Sequence, residues 1–397
     1  MTTHTFVPSR AAVAAHSNAI AVQHVHTAEW VSPGHPDRLA DAIADRVVRH
    51  AVALDREALV GIEVALHRRR VFVDGRIAAR GIGNADEWLP PLVQKVYAEA
   101  GHGAQWAPAP DELAIDHDLC VDDLSRDERT ARSVADDQNV VIGWAGRDER
   151  TRFLPPAHFL AGELGRAVWR FRCEHAEHFG PDFKLLPQLD ELADGSLRWR
   201  RLVLSLQHRE EVGYERLHRE LLPVLRAVLS ANERNGLAGV GSTFLPHVLH
   251  CNGAGSFVLG GPLGDNGLSG KKLVVDHFGP DVPIGGGAIY GKDPHKIDRA
   301  GAVRARQWAV ELLQQERTRG VREVRTRLCW SPGDAAPSFV EAQTRDAAGL
   351  WRRVAEDRLP PREWFAIERV VAELLDQGVD AFAAPGASGF VPGGVLP

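Results

Sequence analysis

Two glycine-rich stretches, each running into lysines, limit this chain most tightly. The first reads GSFVLGGPLGDNGLSGKK (residues 255–272) and the second GGGAIYGKDPHKIDR (residues 285–299). Successive glycines let backbone N–H groups approach a ligand with no Cβ in the way. In the second stretch, Asp293 followed by Pro294 reads as a helix N-cap and first helical position. The loop would then run onto a helix N-terminus, an anion site to which Lys292 and Lys296 add charge. Asp298, about one turn into that helix, is a candidate metal ligand touching the same anion. The apolar positions Ala300, Val303, Trp308, Val310 and Leu312 follow a helical face only loosely. A solvated loop before a surface helix is the plain alternative for this stretch alone. A second lysine-bearing glycine loop so close by is harder to explain as surface filler.

Neither stretch is a standard nucleotide motif. Gly286-x4-Gly291-Lys292 has the spacing of a P-loop, but Asp293 stands where Ser or Thr is required, and Pro294 has no N–H to donate. Residues 278–283 break any strand leading into it. Gly253-Ala254-Gly255 lacks the third glycine of a dinucleotide fingerprint, since Val258 takes that place. A related grammar opens near the N-terminus: Gly34, His35, Pro36, Asp37, then LADAIADRVVRHAVAL. Pro36 suits the first helical position, which puts His35 at the cap and Asp37 in the first turn, while Leu39, Ile43 and Val47 continue one stripe. A histidine there tends to be neutral unless a polyphosphate draws it toward protonation; a simple capping histidine is the alternative. The two similar helix starts hint at an internal repeat.

A chain of 397 residues is too long for one ordinary core, so two or three domains are expected. The formal charge of −6 gives no reason to expect nucleic acid as a partner, whose phosphates want a basic face. Cys120, Cys173, Cys251 and Cys329 have no metal-ligand spacing and read as reduced thiols of a cytoplasmic protein. No apolar run is long enough to span a membrane. Residues 1–23 read as a loosely attached tail.

Along the chain, strands are expected at 24–31, at 58–66 and 70–73 with Asp74–Gly75 as a hairpin turn, and at 140–144, 198–207, 258–259, 273–276 and 322–328. Helices are expected at 88–100, 155–171, 216–231 and 362–375. Residues 180–184 read as a turn in which Asp182 and Lys184, two apart, project to one side. Residues 105–133, acidic and poor in apolar side chains, read as a lid or a linker. Helices alternate with hairpins, which gives α+β with several similar units.

The segments SPGHPDRLADAIADRVV, ADDQNVVIGW, GPDFK, LSLQHREE, GSFVLGGPLGDNGLSGKKLVVD and GGGAIYGKDPHKIDRAGA, in this order, resemble the S-adenosylmethionine synthetase (methionine adenosyltransferase) family over roughly residues 25–330. The resemblance implies three similar α/β two-layer domains related by pseudo-threefold symmetry, divided here as 24–125, 126–250 and 251–397. It implies a homodimer with active sites at the interface, possibly paired again into a tetramer. It also implies a reaction: the sulfur of L-methionine attacks C5′ of ATP, and the bound triphosphate is hydrolysed to phosphate and pyrophosphate, with magnesium required and potassium activating. By matching positions, His35, Lys184, Lys271, Lys272 and Lys292 would hold and draw off the triphosphate, with Lys271 where the family has arginine. Asp182, Ser256, Phe257 and Ala288 would line the nucleoside site. Asp265 and Lys296 would touch ATP and the amino acid. Asp37 and Asp298 would bind magnesium, and Glu63 potassium.

Departures gather around the amino acid. Arg76 stands where the family has the glutamate that accepts the methionine ammonium. Cys120 falls where a glutamine contacts methionine, DDQN replaces GDQG, and Trp330 falls near an apolar position of the pocket. A guanidinium in place of a carboxylate reverses the sign facing an ammonium. Three readings therefore stand: an S-adenosylmethionine synthetase with a rearranged methionine pocket, the same adenosyl transfer to another nucleophile, for instance a thioether acid that lacks the ammonium, or a non-catalytic ATP-binding relative.

Overall fold

The computed structural model describes residues 21–377. The Gly/Pro-rich end from Ala383 and most of the tail 1–23 lie outside the described residues. In chain order the elements are β1 (Val22–Thr27), β2 (Trp30–Val31), α1 (Pro36–Leu54), β3 (Leu59–His67), β4 (Arg70–Ala78), α2 (Ala85–Glu99), β5 (Ala114–Asp122), α3 (Arg126–Thr130), β6 (Asn139–Gly146) and α4 (Pro156–Glu174). There follow β7 (Phe179–Leu192), β8 (Leu197–His208), α5 (Tyr214–Arg234), β9 (Leu249–Cys251), β10 (Asn266–Leu268), α6 (Leu273–Asp276), α7 (Ile297–Glu316), β11 (Val321–Trp330), β12 (Phe339–Asp346), β13 (Trp351–Arg353) and α8 (Ile367–Asp376).

One pattern repeats: a long helix, an antiparallel hairpin, a second helix. It appears as α1–β3–β4–α2, α4–β7–β8–α5 and α7–β11–β12–α8. In each unit the two helices cover one face of the sheet built on that hairpin. The sheets run β10-β3-β4-β5, β1-β7-β8-β9 with β2 also on β7, and β13-β12-β11-β6. The strand preceding each unit's first helix joins another unit's sheet. Thus β1 and β2, before α1, pair with β7; β6, before α4, pairs with β11; and β10, before α7, pairs with β3. The exchange is cyclic, as a threefold arrangement of like units produces, and it crosses the chain divisions at 125/126 and 250/251. The fold is α+β, built of three sheet-and-helix layers, each with its own apolar core.

Several expectations are corrected. Asp74–Gly75 is no turn; it lies inside β4, and the β3–β4 turn is at Arg68–Arg69, with Arg68 at φ 55°. Gly75 is needed for close approach: at φ 119°, a Cβ there would sit 2.2 Å from the Gly61 carbonyl oxygen. Residues 105–133 are not one long loop. They contain β5, parallel to β4, and α3. In β5, Ile115, Leu119 and Val121 pack inward under α2 while the acidic residues face out. The segment 273–276 is helix α6 and 258–259 is not a strand. Residues 180–184 belong to the long strand β7 rather than to a turn. Asp293 does not cap α7, which starts at Ile297.

Candidate active site

The N-terminus of α1 is the centre of the site. His35 is its N-cap, and Pro36 takes the first position. The capping stretch is fixed to β7: Ser32 Oγ donates to the Pro181 carbonyl at 2.7 Å and accepts from Phe183 N–H at 2.8 Å. A Cβ on Gly34 would meet Pro181 at 2.3 Å, so only glycine lets the strand pass this close. His35 Nδ1 accepts from Asp37 N–H at 3.1 Å, which places the ring proton on Nε2. His35 is 2% exposed. Burial, helped by the charges of Lys184 and Lys272, pushes its pKa down to about 3. It is a neutral N–H donor at physiological pH.

Asp37 is a hub. Its carboxylate takes Lys272 Nζ at 2.5 Å and the Leu268 N–H at 3.2 Å, with Lys271 Nζ at 3.5 Å. Burial raises its pKa, but the contacts with Lys272 outweigh this and hold it below the ordinary carboxylate value. One turn on, Asp41 accepts from Gly270 N–H at 2.8 Å. The first glycine loop is thus strapped to α1 by two aspartates. Arg38 lies buried between Asp41 and Asp276.

Asp182, 5% exposed, accepts from Gly261 N–H at 2.8 Å. Burial lifts its pKa to about 6, against the pull of that bond and of Lys184. Gln207 ties the same corner: its Oε1 accepts from Asp182 N–H at 3.4 Å and its Nε2 donates to the Val258 carbonyl at 3.2 Å. His208 N–H donates to the Phe257 carbonyl at 2.9 Å, and Phe257 N–H donates to His208 Nε2 at 3.2 Å. Ser256 and Asp265 are exposed on this loop, and Asp265 is close enough to Asp182 for its charge to act there.

The start of α7 forms the second cluster. Lys292 Nζ lies 2.9 Å from Asp298 Oδ2, and Asn139 Nδ2 donates to Asp298 Oδ1 at 2.8 Å. Lys296 pairs with Asp136. Asp293, fully buried, accepts from Val60 N–H and His295 N–H, both at 2.8 Å, and pairs with Arg132. This explains why it is no cap: its carboxylate clamps the loop to β3. Two residues of the DDQN departure, Asp136 and Asn139, therefore each contact a residue expected in the site. The clusters adjoin where a Cβ on Gly270 would meet Ala288 Cβ at 2.7 Å.

The third group lies on the face of the β10-β3-β4-β5 sheet that its helices leave uncovered. Arg76 and Cys120 are register partners across β4 and β5, and Gly61, opposite Arg76, bridges to Lys292. Arg76 donates to Asp122 Oδ2 at 2.9 Å and to Glu128 Oε1 at 3.1 and 3.0 Å. The contact with Asp122 leads in raising its pKa. In this group one guanidinium faces two carboxylates. Glu63 is exposed opposite Asp74 on β4. Trp330 ends β11 in register with Asn139.

Sequence reasoning missed Gln207, Asp41 and Arg132, and gave Asp136 only as part of the DDQN departure. The signal for Asp41 was its place one helical turn after Asp37. The others act through partners far away in the chain, which no local pattern announces.

The family model for the N-terminal domain of S-adenosylmethionine synthetase matches residues 23–107, and that for the C-terminal domain matches residues 259–359. The S-adenosylmethionine synthase of Thermus thermophilus is 30% identical over 341 residues, covering 80% of this chain and 81% of the relative. The chain belongs to the S-adenosylmethionine synthetase family. The S-adenosylmethionine synthase of Cytophaga hutchinsonii is 28% identical over 89% of this chain and 83% of its own. In fold, the chain matches the structure of an unusual S-adenosylmethionine synthetase from Campylobacter jejuni, with a TM-score of 0.77 over 94% of this chain and 97% of the other at 24% identity. Among the described residues no helix is long and apolar enough to cross a membrane, and all four cysteines are free.

Proposed function

We propose that the chain transfers the adenosyl group of ATP to the sulfur of L-methionine, releasing phosphate and pyrophosphate through a bound triphosphate. The observation that carries this reading is the α1 terminus, where neutral His35 and ionised Asp37 sit among Lys184, Lys271 and Lys272. A thioether has no proton to lose, so no general base is needed. The catalyst must instead stabilise charge on the departing triphosphate. His35 Nε2–H donates toward the oxygen leaving C5′. The lysines take the phosphate oxygens, with Lys292 completing the set from the second loop. Asp182, Phe257, Ser256 and Ala288 frame the nucleoside.

Asp37 and Asp298 fit a magnesium role: both are oxygen donors beside lysines, and Mg²⁺ is commonly held by one or two carboxylates plus substrate phosphates. The ion would supply charge neutralisation of the polyphosphate. Lysines pair with both carboxylates, and substrate would exchange these partners. Glu63 with Asp74 gives two exposed carboxylates, a half-site at most for potassium, and no step is routed through that ion.

Asp122 and Glu128 beside Arg76 give the amino-acid group a net negative charge, which supports a substrate ammonium. Arg76, Cys120 and Glu63 share their open sheet face with Phe72 and Leu268, each 43% exposed. That supports a homodimer closing over this face. Mass spectrometry of products from ATP, Mg²⁺ and methionine, beside des-amino thioether acids, tests the reading. The expected product is S-adenosylmethionine; adduct from the des-amino acids alone would replace methionine as the substrate, and no product despite nucleotide binding would leave a silent relative.

A further inference from the structure

We propose a divalent transition-metal site, of the zinc, cobalt or nickel class, formed by His24, His26 and Asp281. The two histidines alternate on β1, so they project to one side of the strand. Asp281 comes from the loop between α6 and α7, four residues before Gly285. One ligand atom from each residue falls within 4.8 Å of the others. Asp281 Oδ2 is 3.6 Å from His24 Nε2 and 3.7 Å from His26 Nδ1. Ligand atoms about 2.0–2.1 Å from a tetrahedral ion stand about 3.4 Å apart; both distances to Asp281 are within a few tenths of an ångström of this, and the two histidine nitrogens are no more than 4.8 Å apart.

The second observation is the state of His26. It is 9% exposed, and its Nδ1 has no hydrogen-bond partner although it faces Asp281. Its other nitrogen, Nε2, lies 2.9 Å from Glu191 Oε2. A carboxylate on the far ring nitrogen is the usual companion of a metal-bound histidine: it fixes the ring and leaves the near nitrogen's lone pair for the ion. Two imidazoles and one carboxylate select a borderline transition metal over magnesium or calcium, whose sites are all oxygen. Three protein donors leave a fourth position for water. The plain competitor is a protonated His26 shared between Glu191 and Asp281, which needs no metal. The proposed ion would tie β1 to the loop that leads into the triple glycine, apart from the residues placed on ATP.

The test uses the full chain, stripped with chelator and held in excess Mg²⁺ so that the oxygen sites are filled. Co²⁺ is titrated and followed by its visible absorption, then displaced with Zn²⁺. The expected result is one Co²⁺ per chain with four-coordinate bands that Zn²⁺ removes. His24→Ala and Asp281→Asn should each weaken binding by about a hundredfold, and Glu191→Gln by about tenfold. His24 and Asp281 have side chains 48% and 34% exposed, so both variants should keep the metal-free melting temperature. Absence of stoichiometric binding, or equal binding in both of those variants, would overturn the site and leave the shared proton as the explanation.

Discussion

The α1 terminus and the open face of the β10-β3-β4-β5 sheet both join cations to carboxylates, and they do so in opposite ways. At α1, Asp37 is buried and shared by two lysines, so cationic capacity is in excess and waits for an anion. On the sheet face Arg76 is shared by two carboxylates, so negative charge is in excess. By the resemblance, the first arrangement keeps the family's residue types, Lys271 for arginine apart. By the same matching, the second puts a base where the family has an acid, and the structure surrounds that base with acids. The lesson is that a sign change at one position need not change the sign of a subsite when neighbours can shift with it.

The largest expected effect is at α1. Lys272→Ala should lower the rate of triphosphate release by about 10²–10³-fold, the usual loss when one preorganised donor to developing charge is removed. Equal turnover in the variant would place the chemistry elsewhere. A melting curve beside the assay separates this from loss of fold.

His35 sharpens the same side. Its folded pKa, about 3, lies below its unfolded value of 6.5. Between these values the unfolded chain binds more protons, so stability falls as pH drops from 6.5 toward 3, by at most about 1.4 kcal/mol per pH unit. Urea denaturation at pH 7 and pH 5 should show this loss reduced by roughly 1–2 kcal/mol in His35→Asn. An identical slope in the variant would mean that the ring is not held neutral.

On the sheet face the effects should be smaller. Arg76→Gln leaves Asp122 and Glu128 uncompensated, so KM for an ammonium-bearing substrate should fall by about three- to tenfold, as the loss of a partly exposed charge implies. KM for ATP should stay within about twofold. A rise in KM for methionine would instead make Arg76 a direct substrate ligand. Smallest of all, Cys120→Ser should change either constant by less than about twofold, since the exposed thiol is a weak hydrogen-bonding group.

The two regions also differ in how openly the sequence shows them. Helix α1 is legible because Pro36 and His35 mark its start and only part of its surface meets the sheet. Helix α7 is legible as a helix but not in its face, because it is enclosed: Ala300 and Val303 pack toward α8 while Ala305, Trp308 and Leu312 pack on the β11 sheet. A helix buried on opposite sides loses its single stripe. Strand β5 was hidden by its outward acids, although Ile115, Leu119 and Val121 keep period two. The Gly75 misreading has the same kind of cause, because close approach to another strand and a turn ask for the same residue. The resemblance pointed to His35, Asp37 and the lysines. It did not point to Asp122 and Glu128, whose contacts with Arg76 exist only once β5 lies beside β4.

The central claim is that the cations around α1 serve to detach a triphosphate from adenosine. The most direct measurement is to incubate the protein with ATP, Mg²⁺ and methionine and to resolve phosphate, pyrophosphate and adenosyl product by mass spectrometry and phosphorus NMR. The account predicts equal amounts of the three, all lost together in Lys272→Ala. Release of ADP with a single phosphate, or ATP left whole with every sulfur nucleophile offered, would contradict it.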